Sequence, residues 1–319
     1  MAESPLIRPT SVDHFNAIPY FIAVVDNKGF SPAAHALGIS KSAISKRITQ
    51  LEAYLGVRLL HRTTRKISLT EAGSRYYEYA VKANVEAQNA EDAVSQLQGE
   101  PQGKLKINAP MSFGLIHMAG LIPEFLLRYP KISIDLVMDD IAVDLIEHGF
   151  DVAIRNGELE DSSLIARRLA PIHSIVCASP EYIDKHGAPS SPIELTEHNC
   201  LLYSYSTNKD QWQFNRGDND VSIKVSGNYR VNNSEGLKQA VIRGLGVARL
   251  PSFVAGDAIR EGTLVNIFPD YRMPAKKVYA IYPERNYLPA KVRAFLDFSI
   301  EYFGEDNPYW DKELFETKR

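Results

Sequence analysis

The chain has 319 residues, with 36 Lys and Arg against 39 Asp and Glu, a net charge of −3 and a hydrophobic content of 45%. This length fits two domains, and the ordinary charge and hydrophobic fractions exclude a disordered or fibrous chain. The start, MAESPLIRPTS, lacks the basic stretch and apolar core of a signal peptide, and no uninterrupted apolar run approaches the ~18–20 residues of a membrane span. A cytoplasmic protein with no membrane partner is expected, with Cys177 and Cys200 reduced.

Residues 13–29, DHFNAIPYFIAVVDNKG, read as one helix. Phe15, Ile18, Ile22 and Val25 lie on one side, Pro19 bends it and Gly29 ends it. FSPAAHALG (30–38) reads as a short helix with Ser31 as its cap and Pro32 at the first position, where a missing N–H does no harm. Only GIS separates it from the next helix. There Ser40 is placed to cap, and Ile44, Ile48, Leu51 and Leu55 draw an apolar stripe ending at Gly56. The opposite face carries Lys41, Ser42, Ser45, Lys46 and Thr49, side chains that offer the hydrogen bonds and positive charge a DNA groove demands. A solvated surface face would have a similar composition. The tight turn between the two helices favours a helix-turn-helix instead.

VRLLHRTTRKISLT (57–70) follows, with Leu59-Leu60 and Ile67-Leu69 flanking a basic turn, a small wing with a cationic tip. Residues 1–66 hold nine Lys and Arg against four acids, a net of +5, which leaves −8 on the rest of the chain. A basic module on an acidic body fits nucleic acid bound at one end. The expected DNA contacts are Ser31, Ser40, Lys41, Ser42, Ser45, Lys46, Arg47 and Thr49 from the helices, and Arg62, Thr63, Arg65 and Lys66 from the wing.

FSPAAHALGISKSAISKRITQLEAYLGVRLLHRTTRKISLTEAG (30–73) resembles the DNA-binding signature of the LysR-type transcriptional regulators. GKLKINAPMSFG, FDVAIRNGELEDSSLIARRLA, VCASPEYI and VNNSEGLKQAVIRGLGVARLPSF resemble the effector-binding half of that family, in its CrgA-like subgroup. Lys46 stands where the family more often has Arg, and 305–319 runs past the usual end. The resemblance implies a transcriptional regulator, not an enzyme. Its implied partners are double-stranded DNA at an inverted-repeat promoter site, a small-molecule effector, and further copies of itself as a dimer or tetramer. RNA polymerase is a candidate partner.

Thr70 can cap a helix over 71–98 along which Tyr76, Ala80, Ala83, Ala87, Ala90, Val94 and Leu97 recur at steps of 4 and 3. This heptad seam of mostly small residues is expected at a dimer contact, the alternative being packing against its own domain. Residues 99–103 read as a hinge. From 104, strands at 104–110, 132–138 and 151–155 alternate with helices within 116–129 and at 141–149, a βαβαβ pattern with a mostly parallel sheet. A second unit lies between 173 and 275, with strands at 173–179 and 246–251 and a helix at 234–244. The strand 276–283 and the helix 289–303 return to the first lobe, and 305–319 forms a tail. The expected architecture is an all-α winged helix-turn-helix over 1–70, a linker helix over 71–98, and an α/β two-lobed domain over 104–304. The family likens that domain to periplasmic binding proteins.

Such folds bind small molecules at strand carboxyl ends. Ser112, Phe113, Arg155, Asn156, Asn232, Asn233, Ser234 and Pro251 are the expected effector-site residues, and two helix N-termini suggest a small polar or anionic effector. Capping or structural roles are open alternatives for Ser112, Asn233 and Arg155. No HExxH or CxxC spacing, P-loop or G-x-S-x-G occurs, and GLGVAR (244–249) has Arg249 in place of a third glycine, so no metal, cofactor or catalytic residue is expected. A ligand-independent repressor, a thiol sensor built on Cys177 or Cys200, and a solute-binding or enzymatic module fused to a helix-turn-helix are the competing readings.

Overall fold

The computed structural model describes residues 12–315 apart from 63–66, 98–99, 142–143, 147, 158–163, 206–209, 218 and 285–287. The chain divides into two compact units, Met1–Gln98 with Ile146–Gly149 and Gly99–Leu145 with Phe150–Arg319.

The first unit contains α1 (Val12–Phe15), α2 (Ile18–Asp26), α3 (Phe30–Leu37), α4 (Lys41–Leu55), β1 (Leu60–Arg62), β2 (Ile67–Leu69) and α5 (Glu71–Leu97). The helix expected over 13–29 is two helices. Pro19 lies in the first turn of α2, so it starts a helix instead of bending one. The inward face is correspondingly rotated: Ala17, Ile18, Phe21 and Val24 are buried, whereas Phe15 is 53% exposed. Gly29, with extended backbone, precedes α3. Ser31 is therefore an exposed residue inside the first turn and not the cap. In α4 the stripe of Ile44, Ile48 and Leu51 is buried as its spacing predicts, and Ser40 accepts a hydrogen bond from the Ala43 N–H. Leu55 points outward, and Glu52 takes the inward position.

The second unit is built on two five-stranded sheets. The first runs in the order β4 (Ile132–Met138), β3 (Gly103–Ala109), β5 (Val152–Asn156), β14 (Lys276–Pro283), β6 (Leu164–Ile172). β4, β3 and β5 are parallel, and β14 pairs antiparallel with both β5 and β6. The second sheet runs β11 (Arg230–Val231), β8 (Cys200–Tyr203), β12 (Val247–Pro251), β7 (Ser174–Ala178), β13 (Val265–Asn266). Its first three strands are parallel, and β7 is antiparallel to both its neighbours. Each lobe therefore has a parallel half and an antiparallel half. The return strands that close each sheet leave no alternating β–α signal in the sequence. A hairpin of β9 (Gln211–Arg216) and β10 (Asn219–Lys224) stands on the second lobe.

The helices are α6 (Met111–Phe113), α7 (Ala119–Arg128), α8 (Pro180–His186), α9 (Ser234–Ile242), α10 (Ser252–Arg260) and α11 (Ala290–Phe303). A π-helical stretch, Gly114–Met118, joins α6 to α7. Buried Gly114 there lies under Met138, where a Cβ would come within 2.8 Å of the Met138 side chain. The helix expected at 141–149 is absent among the described residues of that stretch, which form bends and turns. Lys291 of α11 is 2% exposed and reaches across β3, donating to the Lys104 carbonyl at 2.8 Å and lying 3.7 Å from Asp151. The charge is kept by these oxygen partners, as a buried ammonium requires.

Candidate DNA interface and effector cleft

The exposed polar side of α4 follows from its buried back. With Ile44, Ile48 and Leu51 turned inward, Lys41, Ser42, Lys46 and Thr49 are exposed and Ser45 is half-buried. Ser42 Oγ lies 3.0 Å from Ser40 Oγ, so the second serine steadies the capping one. Among the described residues no ion pair holds Lys41 or Lys46. Arg47 departs from this face: its guanidinium stacks 4.6 Å from the Tyr20 ring of α2.

The wing is fastened to α4 by Glu52. Its buried carboxylate accepts from the Leu59 N–H at 2.9 Å and the Leu60 N–H at 3.1 Å, with Arg58 3.9 Å away. β1 and β2 pair through Leu60 with Leu69, His61 with Ser68 and Arg62 with Ile67. Thr63, Arg65 and Lys66, and the side chain of Arg62, lie outside the described residues. Thr70 caps α5 by accepting from the Gly73 N–H at 2.9 Å, and its hydroxyl donates to the Arg58 carbonyl at 2.7 Å.

Along α5 the expected seam divides. Tyr76, Ala80 and Ala83 pack against the core of their own unit, with Tyr76 edge-on to Phe21 at 5.4 Å. Tyr77 donates to Asp26 at 2.5 Å on the same side. Ala87 and Ala90 are exposed. The side chains of Val94 and Leu97 lie outside the described residues. The helical spacing is uniform, but the globular module covers only the first turns, and the sequence pattern alone does not show where that cover stops.

In the second unit Ser112 and Asp140 follow the carboxyl ends of the parallel strands β3 and β4, Asn156 ends the parallel strand β5, and Tyr203, Tyr205 and Asn232 end or follow β8 and β11. Arg155 is half-buried. Its Nη1 donates to Asn108 Oδ1 at 2.6 Å and to the Ile154 carbonyl at 2.8 Å, while Nη2 is buried with no hydrogen-bond partner among the described residues. Burial lowers its pKa. Asn232 donates to Tyr205 Oη at 3.2 Å. The Tyr203 phenol is pushed up to about 12, first by burial and then by the charge of Asp140.

The helix ends expected to receive an anion are already occupied. The Met111 N–H donates to Asp140 at 2.9 Å, and Asn233 accepts from the Glu235 and Gly236 N–H groups. Asn233 is thus a cap, and Asp140 adds negative charge where positive character was expected. Ser112 is 7% exposed. Phe113 faces away, into an aromatic cluster with Phe253 and Phe303 at 5.3 and 5.4 Å. Ser234 opens α9, and Pro251 ends β12 beside the crossing between the lobes, where the Ser252 N–H donates to the His173 carbonyl. Asn108, Asp140, Tyr203 and Tyr205 were missed by sequence reasoning. The available signals were an amide inside an apolar strand (KINA) and an acid pair directly after one (MDD).

Residues 15–74 match the bacterial regulatory helix-turn-helix protein model of the lysR family, and residues 98–304 match the LysR substrate binding domain. The chain belongs to the LysR family of transcriptional regulators. An uncharacterized HTH-type regulator of Haemophilus influenzae is 36% identical over 88% of this chain and 98% of its own length. Among solved LysR-type structures, CrgA from Neisseria meningitidis is 34% identical, covering 90% of this chain and 97% of that one with a TM-score of 0.59. The Vibrio cholerae virulence activator AphB is 30% identical, covering 90% and 98% with a TM-score of 0.59. As in any LysR regulator, the polar face of α4 belongs to the DNA-binding half and the two lobes to the regulatory half.

Both LysR-protein cysteines are buried, and burial pushes each thiol up to about 12. Neither has the low pKa and exposure that make a thiol reactive. Among the described residues no helix is long and apolar enough to cross a membrane.

Proposed function

We propose that this LysR regulator works as a cytoplasmic dimer, or a dimer of dimers, on an interrupted inverted repeat, with promoter binding tuned by a small polar effector. The observation that carries the DNA reading is α4: a buried apolar back, a serine cap and an exposed face of Lys41, Ser42, Lys46 and Thr49. Two such helices on a two-fold axis read a symmetric site. Exposed Ala87 and Ala90 are small enough for two α5 helices to approach closely, and they support dimerisation through the distal part of that helix. The effector reading rests on Arg155 and Asp140. With a carboxylate already on the Met111 N–H, the cleft suits a molecule that offers both a donor and an acceptor better than a simple anion. The buried thiols argue for this reading over redox sensing.

Genome-wide mapping of bound DNA, followed by footprinting on the recovered sites, tests the first part. Two-fold symmetric protection is expected, and single, unpaired half-sites would overturn the dimer reading. Incubation of the full chain with cell extract, followed by mass spectrometry of what co-purifies, tests the second. A polar metabolite displaced by Arg155→Met supports it, and an apolar one overturns it.

A further inference from the structure

The match to the LysR substrate-binding domain ends at residue 304, where α11 has just ended at Phe303. Gly304, with φ of +87°, turns the chain back, and a Cβ there would meet the Asn307 carbonyl at 2.8 Å. The residues that follow are built into both lobes. Asp306 pairs with Arg168 of β6. Trp310, 2% exposed, enters the first lobe's aromatic cluster with its ring 5.9 Å from Phe113 and 5.6 Å from Phe303. Tyr309 Oη lies 2.5 Å from His117 Nδ1 on the same side.

The next residues grip the second lobe and the crossing. Asp311 lies 2.8 Å from Nδ1 of His173, the residue between β6 and β7, where the chain passes from one sheet to the other. Arg260 of α10 donates to the carbonyls of Trp310 and Lys312. Leu314 and Phe315 pack on the second lobe's core, which includes Ala255 and Ala258 of α10. The segment lies so close to α10 that a Cβ on Gly256 would come within 3.1 Å of the Trp310 carbonyl and 3.2 Å of Leu314 Cδ1.

We propose that residues 305–315 are a strap across the two lobes that restricts their hinge motion and thereby sets how readily the cleft opens. The covalent crossings at 172–174 and 266–276 allow the lobes to pivot. A further tie, anchored by Trp310 in one lobe and by Phe315 on the other, opposes that pivot and reinforces α10, whose Phe253 and Val254 enter the first lobe's core and whose Ala255 and Ala258 enter the second's. A plug for the first lobe's core would need Trp310 but would gain nothing from Leu314 and Phe315.

The test uses the full chain with a spin label in each lobe, at exposed Glu124→Cys on α7 and Glu181→Cys on α8. The native thiols are buried and do not compete for the label. Interlobe distances are measured by pulsed electron resonance without ligand, so the result does not depend on what the cleft binds. Leu314→Ala with Phe315→Ala is expected to broaden the distance distribution about twofold while the melting of the first lobe is retained. A second variant inserts two glycines between Lys312 and Glu313, which slackens the strap without removing a side chain, and should broaden it as well. Distributions that overlay the parent's in both variants would overturn the proposal.

Discussion

The α4 face and the interlobe cleft are both polar, but they use their polar groups differently. On α4, Lys41 and Lys46 stand in solvent with no ion-pair partner among the described residues. In the cleft, Asn108 holds Arg155, Asp140 holds the Met111 N–H and Asn233 holds the start of α9. A rigid polyanion can be met by charges kept open to water, because counterion release supplies the driving force. Between the lobes most of these polar groups are already engaged with one another or with the backbone, and Arg155 Nη2 is the exception, buried without a partner among the described residues. A polar side chain is therefore open to solvent on α4 and, in much of the cleft, serves the structure.

Removing an engaged polar group should cost stability, and removing an open one should cost only binding. The largest effect is expected at Glu52. Glu52→Ala leaves the Leu59 and Leu60 N–H groups without their acceptor and should destabilise the first unit by about 3–5 kcal/mol, read by denaturant unfolding. A stability change no larger than that of a surface mutation would break the distinction.

His117 comes next. It is 2% exposed, and burial lowers its pKa to about 4. In the unfolded chain it binds a proton near pH 6.5, whereas in the folded chain it does not until about pH 4. Stability is therefore full above pH 6.5 and falls as the pH drops toward 4, by up to about 3 kcal/mol. His117→Gln should flatten that acid limb in denaturant melts taken at several pH values. An acid limb of unchanged steepness would show that other groups carry it.

Asn233→Ala should cost about 1 kcal/mol, the ordinary value for a lost cap, with no effect on DNA binding by footprinting. Lys46→Ala should leave the melting temperature unchanged, yet lower DNA affinity about tenfold and reduce its salt dependence. A shifted melting temperature with intact affinity would place Lys46 among the structural residues.

The same contrast explains what the sequence disclosed. The α4 stripe, the Ser40 cap, the strand at 132–138 and the strand at 276–283 are local patterns, readable from period and punctuation. Pro19 and Gly29 misled because a proline inside an apolar run and a glycine two residues before a serine each have two placements, and only packing chooses. In the cleft, Ser112, Arg155 and Asn233 were recognisable as polar residues after strands. Whether Arg155 faces a ligand or the backbone depends on Asn108, from the neighbouring strand β3 and 47 residues away, whereas Asn233 turns to its own helix through the Glu235 and Gly236 N–H groups. Glu52 shows the same limit: its charge suggests a surface, and its burial follows from two N–H groups seven and eight residues away.

Glu52 also bears on how such a protein can change. It grips the wing by main-chain N–H groups, so the hold is indifferent to which side chains residues 59 and 60 carry beyond their need to be buried. The hairpin is clamped at its base, at residues 59 and 60. The open face of α4 can be rewritten without disturbing this clamp or the buried stripe of Ile44, Ile48 and Leu51. If that face reads the operator as proposed, new operator preferences are reachable by single substitutions that leave the fold intact at every step.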